Sequence, residues 1–165
     1  MLNQDYKEML QILQKYDVDY ILVGAYALAA QGYPRSTLDI DIWVKPSKDN
    51  SLKLYKALVE FGAPLDDINE DTFKEKGIIF QIGVAPCRID IITEISGDIE
   101  FADAKRRSIK AEFEGISPNI LSIDDLIKNK EATGRPKDIE DAKMLKNKKI
   151  NHNKINPADG KKLRR

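Results

Sequence analysis

Residues 38–44 read Leu38-Asp39-Ile40-Asp41-Ile42-Trp43-Val44, an unbroken alternation with the period of a β-strand. Successive strand side chains point to opposite faces, so Leu38, Ile40, Ile42 and Val44 line one face and Asp39, Asp41 and Trp43 the other. The apolar face needs a cover. Leu2, Tyr6, Met9, Leu10 and Leu13 recur at helical spacing and make 3–16 an amphipathic helix suited to that role. The acidic face is costly, because two carboxylates two residues apart lie close together unless cations or solvent separate their charges. Taken alone, Asp39 and Asp41 also fit a solvent-facing strand that happens to be acidic.

The remaining elements alternate strand and helix. Tyr20-Ile21-Leu22-Val23 is a short buried strand closed by Gly24, and Ala25–Gln31 is rich in helix formers and stopped by Gly32. Ser47 caps a helix running to Phe61, with Gly62 at its end. Residues 66–76 read as a short charged helix. Strands follow at Ile78–Ile82 and Arg88–Thr93, joined by a loop of hairpin length, and Arg88, Asp90 and Ile92 share a face. Ala102–Ser108 is helical, while 109–113 and 116–121 are edge strands or extended segments. Ser122 and Asp125 open a helix over Ile123–Thr133, Gly134 stops it, and Pro136 begins another that runs to about Lys146. The expected fold class is α+β: a short mixed sheet with the acidic residues on adjacent strands, flanked by helices.

Charge narrows the partners. The 165 residues hold 27 Lys and Arg against 27 Asp and Glu, and this balance argues against a general duplex-DNA binder. The balance is uneven: 148–165 has seven basic residues against Asp159 alone, a charge of +6, so 1–147 carries −6. One domain over 1–147 followed by a basic, mobile tail over 148–165 is expected. That tail either gathers an RNA or acidic partner or is a solvated basic end, and it has no aromatic residue for base stacking. The longest apolar stretch, Tyr20–Ala30, is broken by Gly24 and is too short to cross a bilayer, so no membrane association is expected. The N-terminus lacks a basic segment followed by an apolar one, and a lone cysteine, Cys87, cannot form an internal disulfide; both point to the cytoplasm.

The neighbours of the acidic strand give it chemical meaning. Gly24 lies between a buried strand and a helix, where bare backbone lets amides meet a phosphate. Arg35, Ser36 and Thr37 supply a guanidinium and two hydroxyls just ahead of the acids, and Asp90 offers a third carboxylate on another strand. Magnesium takes oxygen ligands, a few carboxylates together with substrate phosphates. The set suits metal-assisted phosphoryl-group chemistry. Trp43 either stacks on a base or packs in the core, and Tyr33 either lines a nucleotide pocket or anchors a turn. His152, the only histidine, lies in the tail, which argues against Ser-His or Cys-His catalysis, and zinc lacks ligands.

The run from Leu22 to Val44, with Val23-Gly24-Ala25, an Ala- and Leu-rich helix, Gly32-Tyr33-Pro34-Arg35-Ser36-Thr37 and Asp39-Ile40-Asp41, resembles the core of the DNA polymerase beta-like nucleotidyltransferase superfamily. The similarity is greatest to the small prokaryotic branch that includes the AbiEii-type toxins. Arg88-Ile89-Asp90-Ile91-Ile92 resembles the strand of its third carboxylate. Lys128, Arg135, Lys137, Asp138 and Asp141 resemble its later Lys…Arg-x-Lys-Asp-x-x-Asp motif. The resemblance implies that Asp39, Asp41 and Asp90 are catalytic and bind two magnesium ions. It also implies that a nucleoside triphosphate is the substrate, that Asp90 takes the acceptor proton, and that Lys128, Arg135 and Lys137 meet phosphate. Asp138 and Asp141 are expected to pair with nearby bases or to favour the start of the last helix through its dipole. Many superfamily members carry serine where this chain has Ala25, so triphosphate holding falls to amides at Gly24 and Ala25 and to Arg35, Ser36 and Thr37. The acceptor implied is an RNA, protein or small-molecule hydroxyl, with an antitoxin as a further partner. No aminoglycoside-type acceptor domain is visible after residue 146. A catalytically weak binding or regulatory module and a metal-dependent nuclease are the alternative readings.

Overall fold

A computed structural model describes residues 2–33, 39–84 and 86–155. Arg35, Ser36, Thr37, Leu38 and Ala85 lie outside the described residues, as does 156–165. The first helix, α1 (Gln4–Lys15), is capped by the Asn3 side chain accepting from the Asp5 amide, and it buries Tyr6, Met9, Leu10, Ile12 and Leu13. Strand β1 (Tyr20–Val23) is buried at every position. Helix α2 (Gly24–Ala30) follows without a connecting loop. Strand β2 (Asp39–Val44) leads to α3 (Lys48–Phe61), which Ser47 caps and Gly62 ends in the left-handed conformation expected of a C-terminal glycine.

The hairpin β3 (Ile79–Val84) and β4 (Cys87–Ile92) is tighter than a loop over 83–87, because its ladder extends to the pair Val84 and Cys87. Helix α4 (Phe101–Arg107), the two-residue strands β5 (Ile109–Lys110) and β6 (Asn119–Ile120), α5 (Ile123–Thr133) and α6 (Pro136–Ile155) complete the chain. The six strands form one sheet in the order β3-β4-β2-β1-β6-β5. β2 is antiparallel to β1 and parallel to β4, so the sheet is mixed.

Ile40, Ile42 and Val44 are fully buried with the apolar residues of α1 and α3, whereas Asp39 and Asp41 are only half-buried. Trp43 departs from its acidic neighbours. It is buried to 1% exposure and meets Phe101 of α4 edge-on, with ring centroids 5.1 Å apart. The acidic face of β2 is therefore open only over its first half, and Trp43 is a core residue rather than a stacking platform.

Two expectations fail for identifiable reasons. Residues 66–76 form turns, not a helix. Asn69 accepts from the Asp71 amide at 2.8 Å and Thr72 from the Asn69 amide at 2.8 Å, local bonds that compete with helical pairing. Ser51 then donates to the Glu70 carbonyl and accepts from the Phe73 amide, holding Phe73 in the core. The last helix, expected to stop near Lys146, continues to Ile155. Apolar periodicity does end at Leu145, but ion pairs of Lys146 with Glu131 and Lys149 with Asp124 carry the helix on along α5. Lys148 bonds to the Gln31 carbonyl and stands 4.8 Å over the Tyr33 ring, whose hydroxyl donates to the Met144 carbonyl at 2.8 Å. Tyr33 is thus a turn anchor. Among the described residues no helix is long and apolar enough to cross a membrane.

Candidate active site

Strand pairing gathers residues that sequence separation keeps apart. The parallel register of β2 with β4 sets Asp39 beside Arg88 and Asp41 beside Asp90. The antiparallel register of β1 with β2 sets Val23 opposite Asp41, so Gly24 follows directly at the end of β1. Side chains of cross-strand neighbours share a face, and Asp39, Asp41 and Asp90 therefore lie on one face of adjoining strands at the start of β2. Gly24 fits this site for two reasons. Its φ of +65° is one that residues with a side chain rarely adopt, and a Cβ built there would lie 2.2 Å from Asp41 Oδ2. Ala25 is half-buried in the first turn of α2.

The electrostatics follow from that crowding. Burial, and after it the negative charges of Asp90 and Asp39, together push the Asp41 carboxyl up from 3.8 to about 6 against the opposing fields of Arg88 and Lys130. Arg88 Nε donates to Asp90 Oδ1 at 2.8 Å and Nη2 to Asp90 Oδ2 at 3.1 Å, while Nη2 also lies 3.4 Å from Asp39 Oδ2. Its carbonyl accepts from the Tyr6 hydroxyl at 3.2 Å, which fixes the start of β4. Among the described residues no three His, Cys, Asp or Glu side chains are already gathered around one point in a cation cage. Asp39 and Asp90 turn toward Arg88 instead. The donor set nevertheless fits a hard divalent ion: oxygen donors alone, an Asp41 carboxyl raised by burial and by two neighbouring acids, and a glycine backbone leaving space beside it.

Of the lysines on α5, Lys130 is the one whose positive field acts on Asp41. Lys128 is exposed on α5, with its carbonyl packed beside Gly97. Lys130 is 12% exposed, 3.2 Å from Asp138 Oδ1 and 3.3 Å from Asp141 Oδ2, and its field acts on Asp41. Arg135 Nε donates to Asp138 Oδ2 at 2.6 Å and Thr133 to the same oxygen at 2.8 Å. Burial tends to raise the Asp138 carboxyl, but the bonds from Thr133, Arg135 and Lys130 outweigh it and hold Asp138 below its ordinary value. Asp138 and Asp141 thus pair with bases, as expected of them, and Lys137 is exposed.

Sequence reasoning missed the roles of Arg88 and Lys130. Arg88 was legible as a face-mate of Asp90, but only the parallel β2–β4 pairing brings it to Asp39. Lys130 had a signal in the two acids of α6, spaced to meet one cation across the helix junction.

Solved structures share this architecture. A candidate nucleotidyltransferase from Thermotoga maritima aligns with a TM-score of 0.58 at 16% identity, over 92% of this chain and 96% of that one. The solution structure of the antibiotic-resistance factor ANT(2'')-Ia aligns with a TM-score of 0.54 at 16% identity, over 86% of this chain and 80% of that one. A crystal structure of ANT(2'')-Ia in complex with adenylyl-2''-tobramycin aligns with a TM-score of 0.54 at 16% identity, covering 85% and 84% of the two chains. At such identity the likeness is one of fold. No curated protein matches the chain by sequence. The profile of one family matches residues 1–156, nearly the whole chain, and the protein belongs to that family, the nucleotidyltransferases of unknown function termed DUF6036.

Proposed function

We propose that the protein transfers a nucleoside monophosphate from a nucleoside triphosphate to an acceptor hydroxyl, with divalent-metal assistance. The observation that carries the reading is the alignment of Asp39, Asp41 and Asp90 on the neighbouring parallel strands β2 and β4, beside the side-chain-free Gly24. These three carboxylates would hold magnesium, which when bound polarises the phosphates and favours ionisation of the acceptor hydroxyl. The acceptor oxygen bonds to the α-phosphorus, the bond from that phosphorus to the bridging oxygen breaks, and pyrophosphate leaves. Asp90 accepts the acceptor proton on a carboxylate oxygen. Gly24 and Ala25 contribute backbone to the triphosphate's resting place, and Arg35, Ser36 and Thr37 supply its side-chain contacts. Lys130 keeps a positive field on Asp41 while Asp138 and Asp141 hold its ammonium in place. Lys128, being exposed, is available only to a phosphate arriving over α5.

A fold neighbour binds adenylyl-2''-tobramycin, and this favours a sugar-like hydroxyl among the acceptor classes alongside RNA and protein. Membership in the AbiEii-like branch, and with it a toxin role and an antitoxin partner, rests on the motif resemblance alone. The test is label transfer from each α-labelled nucleoside triphosphate with magnesium, offering cellular RNA, cellular protein and an aminoglycoside as acceptors. Wild-type protein should label one class, and Asp39→Ala and Asp41→Ala should lose at least a hundredfold in rate. Silence with every nucleotide, together with no calorimetric binding of magnesium–nucleotide, refutes the reading. Shortening of the RNA would assign a nuclease instead.

A further inference from the structure

We propose that Arg88 is a built-in counter-ion of the carboxylate cluster which a divalent cation must displace, so that metal entry and release of the Arg88 side chain are coupled. The inference rests on the metal-dependent reading above and adds a control element to that site.

Three observations carry it. The Arg88 guanidinium engages both oxygens of Asp90, at 2.8 and 3.1 Å, and reaches Asp39 at 3.4 Å, so it ties together two of the three acids across β2 and β4. A planar fork meeting a carboxylate edge-on is the strongest geometry a guanidinium can offer, and it takes lone pairs that a cation would need. Charge bookkeeping gives the second. Three carboxylates carry about −3 when ionised and Arg88 returns +1, while Lys130 is already shared by Asp138 and Asp141. Arg88 thus leaves an entering divalent ion a net charge of about −2 to bind instead of −3 and sets a like charge beside it, so withdrawal of the guanidinium strengthens the site for the first ion and is required before a second can join it.

The third observation is that the side chain has somewhere to go. Arg88 is one-third exposed, and its cross-strand neighbour on β3 is Gly83, which puts no side chain beside it. The backbone does not need to move: β-pairing with Asp39 and Gly83 and the bond from the Tyr6 hydroxyl hold it. Withdrawal of a single guanidinium would free Asp39 and Asp90 together.

The experiment is a titration with Mn2+ in the absence of nucleotide, read by electron paramagnetic resonance of the free ion, on wild type, Arg88→Gln and Arg88→Lys. Arg88→Gln should bind roughly tenfold tighter or better, because a charge adjoining the ion is removed, and Arg88→Lys should fall between it and wild type. On the wild-type protein, the Arg88 Nε–H resonance should leave its hydrogen-bonded position as Mg2+ is added, a readout that needs no variant to fold. Equal or weaker Mn2+ binding by Arg88→Gln, or an Nε–H signal unmoved at saturating Mg2+, overturns the role of Arg88 and leaves the metal-dependent reading standing. Failure of wild type and both variants to bind any Mn2+ overturns that reading and this inference together.

Discussion

Replacing Asp41 with asparagine should stabilise the metal-free protein at neutral pH and not at acid pH. Asp41 is a carboxyl whose burial and acidic neighbours raise it from 3.8 to about 6 in the folded chain. A group raised in this way binds its proton more tightly folded than unfolded. Its contribution is therefore favourable below about pH 4, declines as pH rises through 6, and leaves a cost once both states are ionised. The interval from 3.8 to about 6 corresponds to about 3 kcal/mol. Asparagine removes the charge and keeps most of the shape, but its amide must find partners in a half-buried place, so a net gain of about 2 kcal/mol is expected at pH 7.5. For a chain of this size that is roughly 4–8 °C in Tm. The assay is thermal denaturation of wild type and Asp41→Asn in EDTA at half-unit steps from pH 4 to 8. The two curves should lie close near pH 4 and separate mainly between pH 4 and 6, with the variant above and the offset nearly constant beyond. A variant that is less stable than wild type at pH 7.5, or an offset independent of pH, would refute the account of Asp41 as a carboxyl raised by burial and by its acidic neighbours.

Other parts of the structure make their own predictions. Gly24→Ala should cost roughly 2 kcal/mol or more in urea denaturation, because alanine is strained at φ +65° and its Cβ would strike the Asp41 carboxylate; it should also weaken Mn2+ binding. Lys130→Ala takes the lysine's charge away from the buried Asp141 and from Asp138, which keeps Thr133 and Arg135, and should cost about 3 kcal/mol, whereas Lys128→Ala should change stability by less than about 0.5 kcal/mol. Asp138, held below its ordinary value, contributes stability that is present above about pH 4 and lost as pH falls through its folded value. Asp138→Asn should accordingly flatten the acid limb of the stability profile measured by denaturant titration from pH 5 down to 2.

Much of this site is legible in sequence because it is built on local periodicity. The alternation from 38 to 44 already separates Ile40, Ile42 and Val44 from Asp39 and Asp41, and the strand–glycine–helix pattern already marks Gly24 as special. What is not legible is lateral. Nothing in the chain order says that β4 lies parallel to β2, yet that pairing places Asp90 beside Asp41 and Arg88 beside Asp39. Lys128 and Lys130 are both basic residues of one helix, and only the helix's rotation against α6 decides that Lys130 faces the acids. The end of α6 was hidden for a different reason: past Leu145 it is polar but for Ile150 and Ile155 and is held by ion pairs, a pattern that apolar periodicity does not register. Trp43 shows a related limit: of the stacking and core-packing roles open to it, burial against Phe101 selects the core, because alternation says nothing about how far along the strand the acidic face stays open.

The most direct test of the account is a crystal structure of the protein soaked with magnesium and a non-hydrolysable nucleoside triphosphate. The account predicts that Asp39, Asp41 and Asp90 converge on metal, with the Arg88 guanidinium withdrawn from Asp90 and the triphosphate lying beside Gly24. Metal and triphosphate bound elsewhere, with Arg88 still clasping Asp90 and Asp39, would contradict it.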